Sequence, residues 1–96
     1  MRKSYTQPLK EILQAYVKAF RIEGKLKEVQ LIKQWEDVMG KTIGKSTKKI
    51  YIKNRVLFVH LNSSVIRSEL FMLRNNITLA LNKKVGEKII DEIVFR

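Results

Sequence analysis

The stretch GKTIGKSTKKIYIKNR, residues 40–55, gathers six basic side chains and two glycines with no acid among them. Such a composition suits a phosphate-cradling loop, a surface for a polyanion, or a solvated basic edge. Its first part, GKTIGKS, resembles the loop whose backbone amides hold phosphate oxygens at a helix N-terminus. That pattern needs four residues between its glycines, and here only Lys41, Thr42 and Ile43 stand between Gly40 and Gly44. Position 39, where the earlier glycine belongs, is methionine. A phosphate loop also follows a strand and opens a helix, whereas this stretch is expected to follow a helix and precede a strand. No acid ends an apolar strand where a magnesium ligand would stand, so nucleotide hydrolysis is not expected.

Other catalytic chemistry has little to work with. The single histidine, His60, falls on a strand beside basic residues and reads as a half-exposed sheet residue. Glu36–Asp37 and Asp91–Glu92 are adjacent pairs. Neighbours point to opposite faces of a strand and lie about 100° apart on a helix, so neither pair forms an acid–base couple. With one histidine and no cysteine, a transition-metal site lacks ligands and disulfides are excluded. The expectation is a protein that is not an enzyme, with no cofactor, no metal and no small-molecule substrate.

Charge gives a stronger lead. The chain has twenty Lys and Arg against nine Asp and Glu, a formal net charge of +11. Residues 38–68 carry seven of the basic groups and no acid, while the flanking segments are nearly balanced. Charge concentrated in this way is the footprint of a polyanion partner. Lys41, Lys45, Lys48, Lys49, Lys53 and Arg55 are the expected phosphate contacts. Tyr51 and Phe58 interleave with them, and bases stack on such rings for about 1–3 kcal/mol each. The same two rings also make sense as a cross-strand pair packed under a helix.

These residues need elements to hold them. Leu9, Ile12, Leu13, Tyr16, Val17 and Phe20 recur at helical spacing behind Pro8, and Gly24 is placed to stop that helix. Leu26, Val29, Ile32, Trp35 and Met39 predict a second helix ending at Gly40, with Trp35 in the core. From Lys48 the period becomes that of a strand. Asn54-Arg55 sits at the centre of KKIYIKNRVLFVHLN, as a two-residue hairpin turn would. That turn pairs Ile50 with Val59 and Ile52 with Leu57 on one face. It pairs Lys49 with His60, Tyr51 with Phe58 and Lys53 with Val56 on the other.

Ser63 or Ser64 can cap a long third helix carrying Ile66, Leu70, Leu73, Ile77 and Leu81. Phe71 and Met72 lie off that stripe; they could dock a protein partner, but are expected to meet the first helix. After Val85-Gly86, Ile89, Ile93 and Phe95 alternate in a last strand, which a one-helix crossover brings in parallel to a neighbour. The predicted class is α+β, a two-layer domain in the order α-α-β-β-α-β, with helices on one face of a three-stranded sheet. Ninety-six residues at 45% hydrophobic content suit one globular domain over 1–96, with residues 1–7 a flexible N-terminus. No stretch reads as a signal peptide or membrane span, so a cytoplasmic protein without membrane contact is expected.

Taken in order, the residues resemble a known family. WEDVMG at 35–40, VLFVHLNSS at 56–64, RSEL at 67–70 and LNKKVG at 81–86 are similar to motifs of the DciA family, over about residues 9–96. Trp35 and Gly40 match its tryptophan–glycine signature, and Glu69 and Leu70 the start of its long helix. Ile66 stands where many members have a second tryptophan. The resemblance implies a KH-like fold and a bacterial accessory protein that helps load the replicative helicase onto DNA. A helicase contact made by the disordered tail of many members is not expected of a chain closing at Arg96. Nor is a GxxG grip, because Gly40 and Gly44 are one residue too far apart for it. The implied partners are nucleic acid, DNA before RNA, and the replicative helicase. An RNA-binding module without a replication role and a protein-binding adaptor using its basic face are the alternatives.

Overall fold

The computed structural model describes residues 7–96, so the expected flexible N-terminus lies outside the described residues except for Gln7, which opens the first helix. The elements are α1 (Gln7–Lys33), α2 (Trp35–Met39), α3 (Lys41–Ser46), β1 (Thr47–Lys53), β2 (Val56–Leu61), α4 (Ser64–Met72), α5 (Arg74–Val85) and β3 (Glu92–Phe95). The predicted order holds once the short helices are grouped with their neighbours, and helices pack against the sheet.

α1 runs through Gly24, which does not stop it. An interior glycine costs about 1 kcal/mol relative to alanine. That is too little to end a helix whose neighbours Glu23, Lys25, Leu26 and Lys27 all favour it. The bend comes instead at Gln34, whose N–H is shared between the carbonyls of Gln30 and Leu31, both at 3.1 Å. α2 then ends at Gly40, at φ 91° and ψ 165°, a region that essentially only glycine occupies. Residues 41–46 then form the short helix α3, so this stretch is a helix following a helix and not a phosphate loop between strand and helix. A Cβ on Gly44 would come within 2.8 Å of Glu36 Cγ, so this glycine lets α3 fold close against α2.

The hairpin has the predicted register. Asn54 (φ 52°) and Arg55 (φ 65°) are both left-handed, as a type I′ turn requires. Ile50 faces Val59, Ile52 faces Leu57, Tyr51 faces Phe58, Lys49 faces His60 and Lys53 faces Val56. Beyond Lys49 the register shifts, so that Thr47 rather than Lys48 opposes Leu61. β3 joins β2 in parallel, giving the sheet order β1-β2-β3.

The long third helix is two helices. Leu73 (φ −99°, ψ 7°) breaks it, with its N–H bonded to the Leu70 carbonyl at 3.0 Å. α4 lies against β2 and β3 and α5 against α1, α2 and β3, directions that one straight helix would not serve. Ser63 is the cap, its hydroxyl accepting from the Ile66 N–H. The last strand is shorter than predicted because Asn82 takes the place of a ladder at its start. Its buried side-chain amide accepts from the N–H of Ile89 and Ile90 and donates to the Ile90 carbonyl, at 2.9–3.1 Å.

The core holds Leu31, Trp35, Leu57, Val59, Leu61, Leu81, Ile90 and Ile93, with Leu70 and Ile77. Trp35 is buried as expected, its indole N–H donating to Thr47 Oγ1 (3.0 Å), whose hydroxyl donates to the Ile43 carbonyl (2.8 Å). That relay ties α2, α3 and β1 together. The apolar stripe of the first helix is not core: every residue from Gln7 to Leu26 is exposed. Phe71 and Met72 are exposed too, with no helix covering them as a core would. The radius of gyration is 18.0 Å, against about 12–13 Å for a compact chain of this length. No described helix is long and apolar enough to cross a membrane.

Candidate nucleic-acid interface

The sheet has one face on the core and one turned away from it. Alternation along β1 puts Ile50 and Ile52 inward and Lys49, Tyr51 and Lys53 outward. Along β2 it puts Leu57, Val59 and Leu61 inward and Val56, Phe58 and His60 outward. From β3 the outward side adds Glu92 and Val94, the partners of Val56 and Phe58. Lys49, Lys53, Tyr51 and Phe58 are therefore brought together on one face, as the hairpin register predicts.

The rings are arranged in a way that composition could not show. Tyr51 and Phe58 stack on each other, centroids 5.0 Å apart and planes 14° from parallel. His60 stacks near Tyr51 at 5.8 Å. Lys49 Nζ lies 5.2 Å from the Tyr51 centroid, and the Arg96 guanidinium lies 5.1 Å from that of Phe58. The result is a cation–ring–ring–cation ladder with both rings half-buried. A base stacking on either ring has to displace Lys49 or Arg96. Arg96 is a candidate contact that the sequence reading missed, because it reaches this face only through the parallel pairing of β3 with β2.

The remaining cations divide into two groups. Lys41 and Lys45 are exposed one turn apart on α3, and Lys48 is exposed at the register shift opening β1. Among the described residues the ion pairs are Lys27–Glu87, Arg55–Asp91 and Lys88–Asp91, so none of the five lysines has a carboxylate partner. Arg55 does. Its Nε and NH2 donate to the two Asp91 oxygens at 3.1 and 3.2 Å, and NH2 donates also to the Lys88 carbonyl at 3.0 Å. The Arg55 hydrogen bond holds the Asp91 carboxyl below its ordinary range; desolvation opposes it, and the charges of Arg55 and Lys88 add to the lowering. Arg55 therefore fastens the hairpin tip to the segment before β3, and its charge is already matched.

The described residues bring together no cluster of His, Cys, Asp and Glu that could hold a metal ion. No curated protein and no solved structure matches the chain significantly. The family model described as Dna[CI] antecedent, DciA, matches residues 8–95, nearly the whole length: the chain belongs to the DciA family.

Proposed function

We propose that this chain is a nucleic-acid-binding accessory protein that assists recruitment or loading of the bacterial replicative helicase on DNA. Family membership implies the coarser part, a role in replication related to helicase loading. The finer part is supported by one observation: five lysines without carboxylate partners stand on α3 and β1, beside an open sheet face capped by Lys49 and Arg96. Unpaired cations release counterions when they meet phosphates, which drives sequence-independent binding. In this reading Lys41, Lys45, Lys48, Lys49 and Lys53 track the backbone, and the Tyr51–Phe58 pair offers ring edges, or faces once a cation is displaced. The protein positions other molecules and catalyses no reaction itself.

The test mixes the protein with the replicative helicase of its own organism and follows complex size by light scattering, with and without DNA. A defined complex is expected. No complex at micromolar concentrations would sink the helicase role. Tighter binding to RNA than to DNA of the same sequence, dependent on the 2′-hydroxyl, would move the assignment to an RNA-binding module.

A further inference from the structure

The first half of α1 leaves an apolar stripe without a partner. Leu9, Ile12, Leu13, Tyr16, Val17 and Phe20 share one side of the helix and are 40–69% exposed. Leu31, eleven residues beyond Phe20 and so on the same side, is fully buried in the core. The stripe thus continues the face that seats α1 on its own domain, past the point where the domain ends. Lys27, bonded to Glu87 at 3.0 Å, marks that edge.

We propose that a second copy of this chain covers the stripe, the two α1 helices packing antiparallel about a two-fold axis. The spacing supports a self-complementary contact. Leu9 and Phe20, Ile12 and Val17, and Leu13 and Tyr16 are each symmetric about the midpoint between Gln14 and Ala15. An antiparallel copy centred there sets apolar against apolar along the whole stripe, as an isologous interface requires. The area is also adequate. At their observed exposures the six side chains offer about 600 Å² per copy, or about 1,200 Å² in all, the lower end of specific interfaces.

Charge gives the contact a signature. The stripe carries none, and Ala15 and Ala19 on one flank permit close approach. Lys10 and Arg21 border the other flank, where an antiparallel copy brings like charges together. Added salt screens that repulsion and strengthens the dimer, whereas it weakens contact with an acidic protein, an anionic membrane or a nucleic acid.

Sedimentation velocity on the full chain, without nucleic acid or helicase, tests this independently of the function proposed above. A dimer in the micromolar range that tightens with salt is expected. The double variant Leu13→Glu, Phe20→Glu should be monomeric yet still melt cooperatively, losing only the concentration-dependent part of the melting temperature that dimerisation adds, because both side chains stand outside the core. The chain has no cysteine, so introduced ones report direction. Leu13→Cys should cross-link to its own copy, and Leu9→Cys only to Phe20→Cys. A monomer throughout this range, a dimer weakened by salt or indifferent to the double variant, or self-cross-linking of Leu9→Cys would each overturn the proposal. So would a monomer that binds anionic vesicles through these residues.

Discussion

Arg55 and Lys53 lie two positions apart on the same hairpin, both exposed and both cationic, yet the structure gives them different roles. Arg55 is matched by Asp91, while Lys53 has no carboxylate partner among the described residues. Replacing each by alanine separates charge that is free for phosphate from charge already neutralised. If all five unpaired lysines engage, log affinity falls against log salt with a slope of about −4.5 on duplex or about −3.5 on single strands. Raising salt from about 50 to 200 mM then weakens binding about 100- to 500-fold. Lys53→Ala should flatten the slope by about 0.7–0.9. Arg55→Ala should leave the slope unchanged, while lowering the melting temperature by releasing the hairpin tip. Fluorescence anisotropy of a labelled oligonucleotide over a salt series reads both. A slope flattened as much by Arg55→Ala as by Lys53→Ala would refute the division, and a near-zero slope for the unaltered protein would remove the electrostatic account altogether.

Trp35→Ala should cost about 3–5 kcal/mol as a truncation in the core, enough to unfold a small domain; an unchanged melting temperature would contradict the packing described. Asn82→Ala leaves two N–H groups and a carbonyl at Ile89 and Ile90 without partners, and should cost about 2–4 kcal/mol, read by denaturant titration. Asp91 has its carboxyl lowered in the folded state, so its contribution to stability is present above the ordinary carboxylate range and is lost as pH falls through the lowered value. Asp91→Asn should therefore be less stable than the unaltered chain at neutral pH, and the two should converge in acid; a difference that stays constant with pH would assign the effect to something other than this charge.

The hairpin was legible because its signals are local. Alternation fixes which side chains share a face, and two residues able to turn left-handed fix the register, so every pair from Lys49–His60 to Lys53–Val56 follows. Trp35 was legible as core from helical spacing alone. Gly24 aside, where the neighbours' own helix preference outweighs the glycine, the misses involve partners that the local pattern does not contain. Nothing near Leu73 announces a break; it arises because α4 and α5 serve different neighbours. Nothing near Ile89 announces that Asn82 will take its N–H, so alternation alone predicts a longer last strand than the one that forms. For α1 the period was right, but a stripe says only that something apolar should cover it, and here the domain covers Leu31 and not Phe20.

The candidate site shows the same division. Composition counts six cations between Gly40 and Val56, and counting cannot separate them. Arg55 sits at φ 65°, a conformation that an arginine adopts less readily than asparagine or glycine. Its bonds to Asp91 and to the Lys88 carbonyl explain why it is held there. The residue that closes the turn is thus the one whose charge is used within the fold. In its place Arg96 enters from the far end of the chain and covers Phe58, so the face regains a cation that no local motif contains. A ligand approaching this surface meets mobile charges first and rings second. Phosphate contact should therefore precede base stacking, and stacking should depend on how readily Lys49 and Arg96 leave the rings for the phosphates.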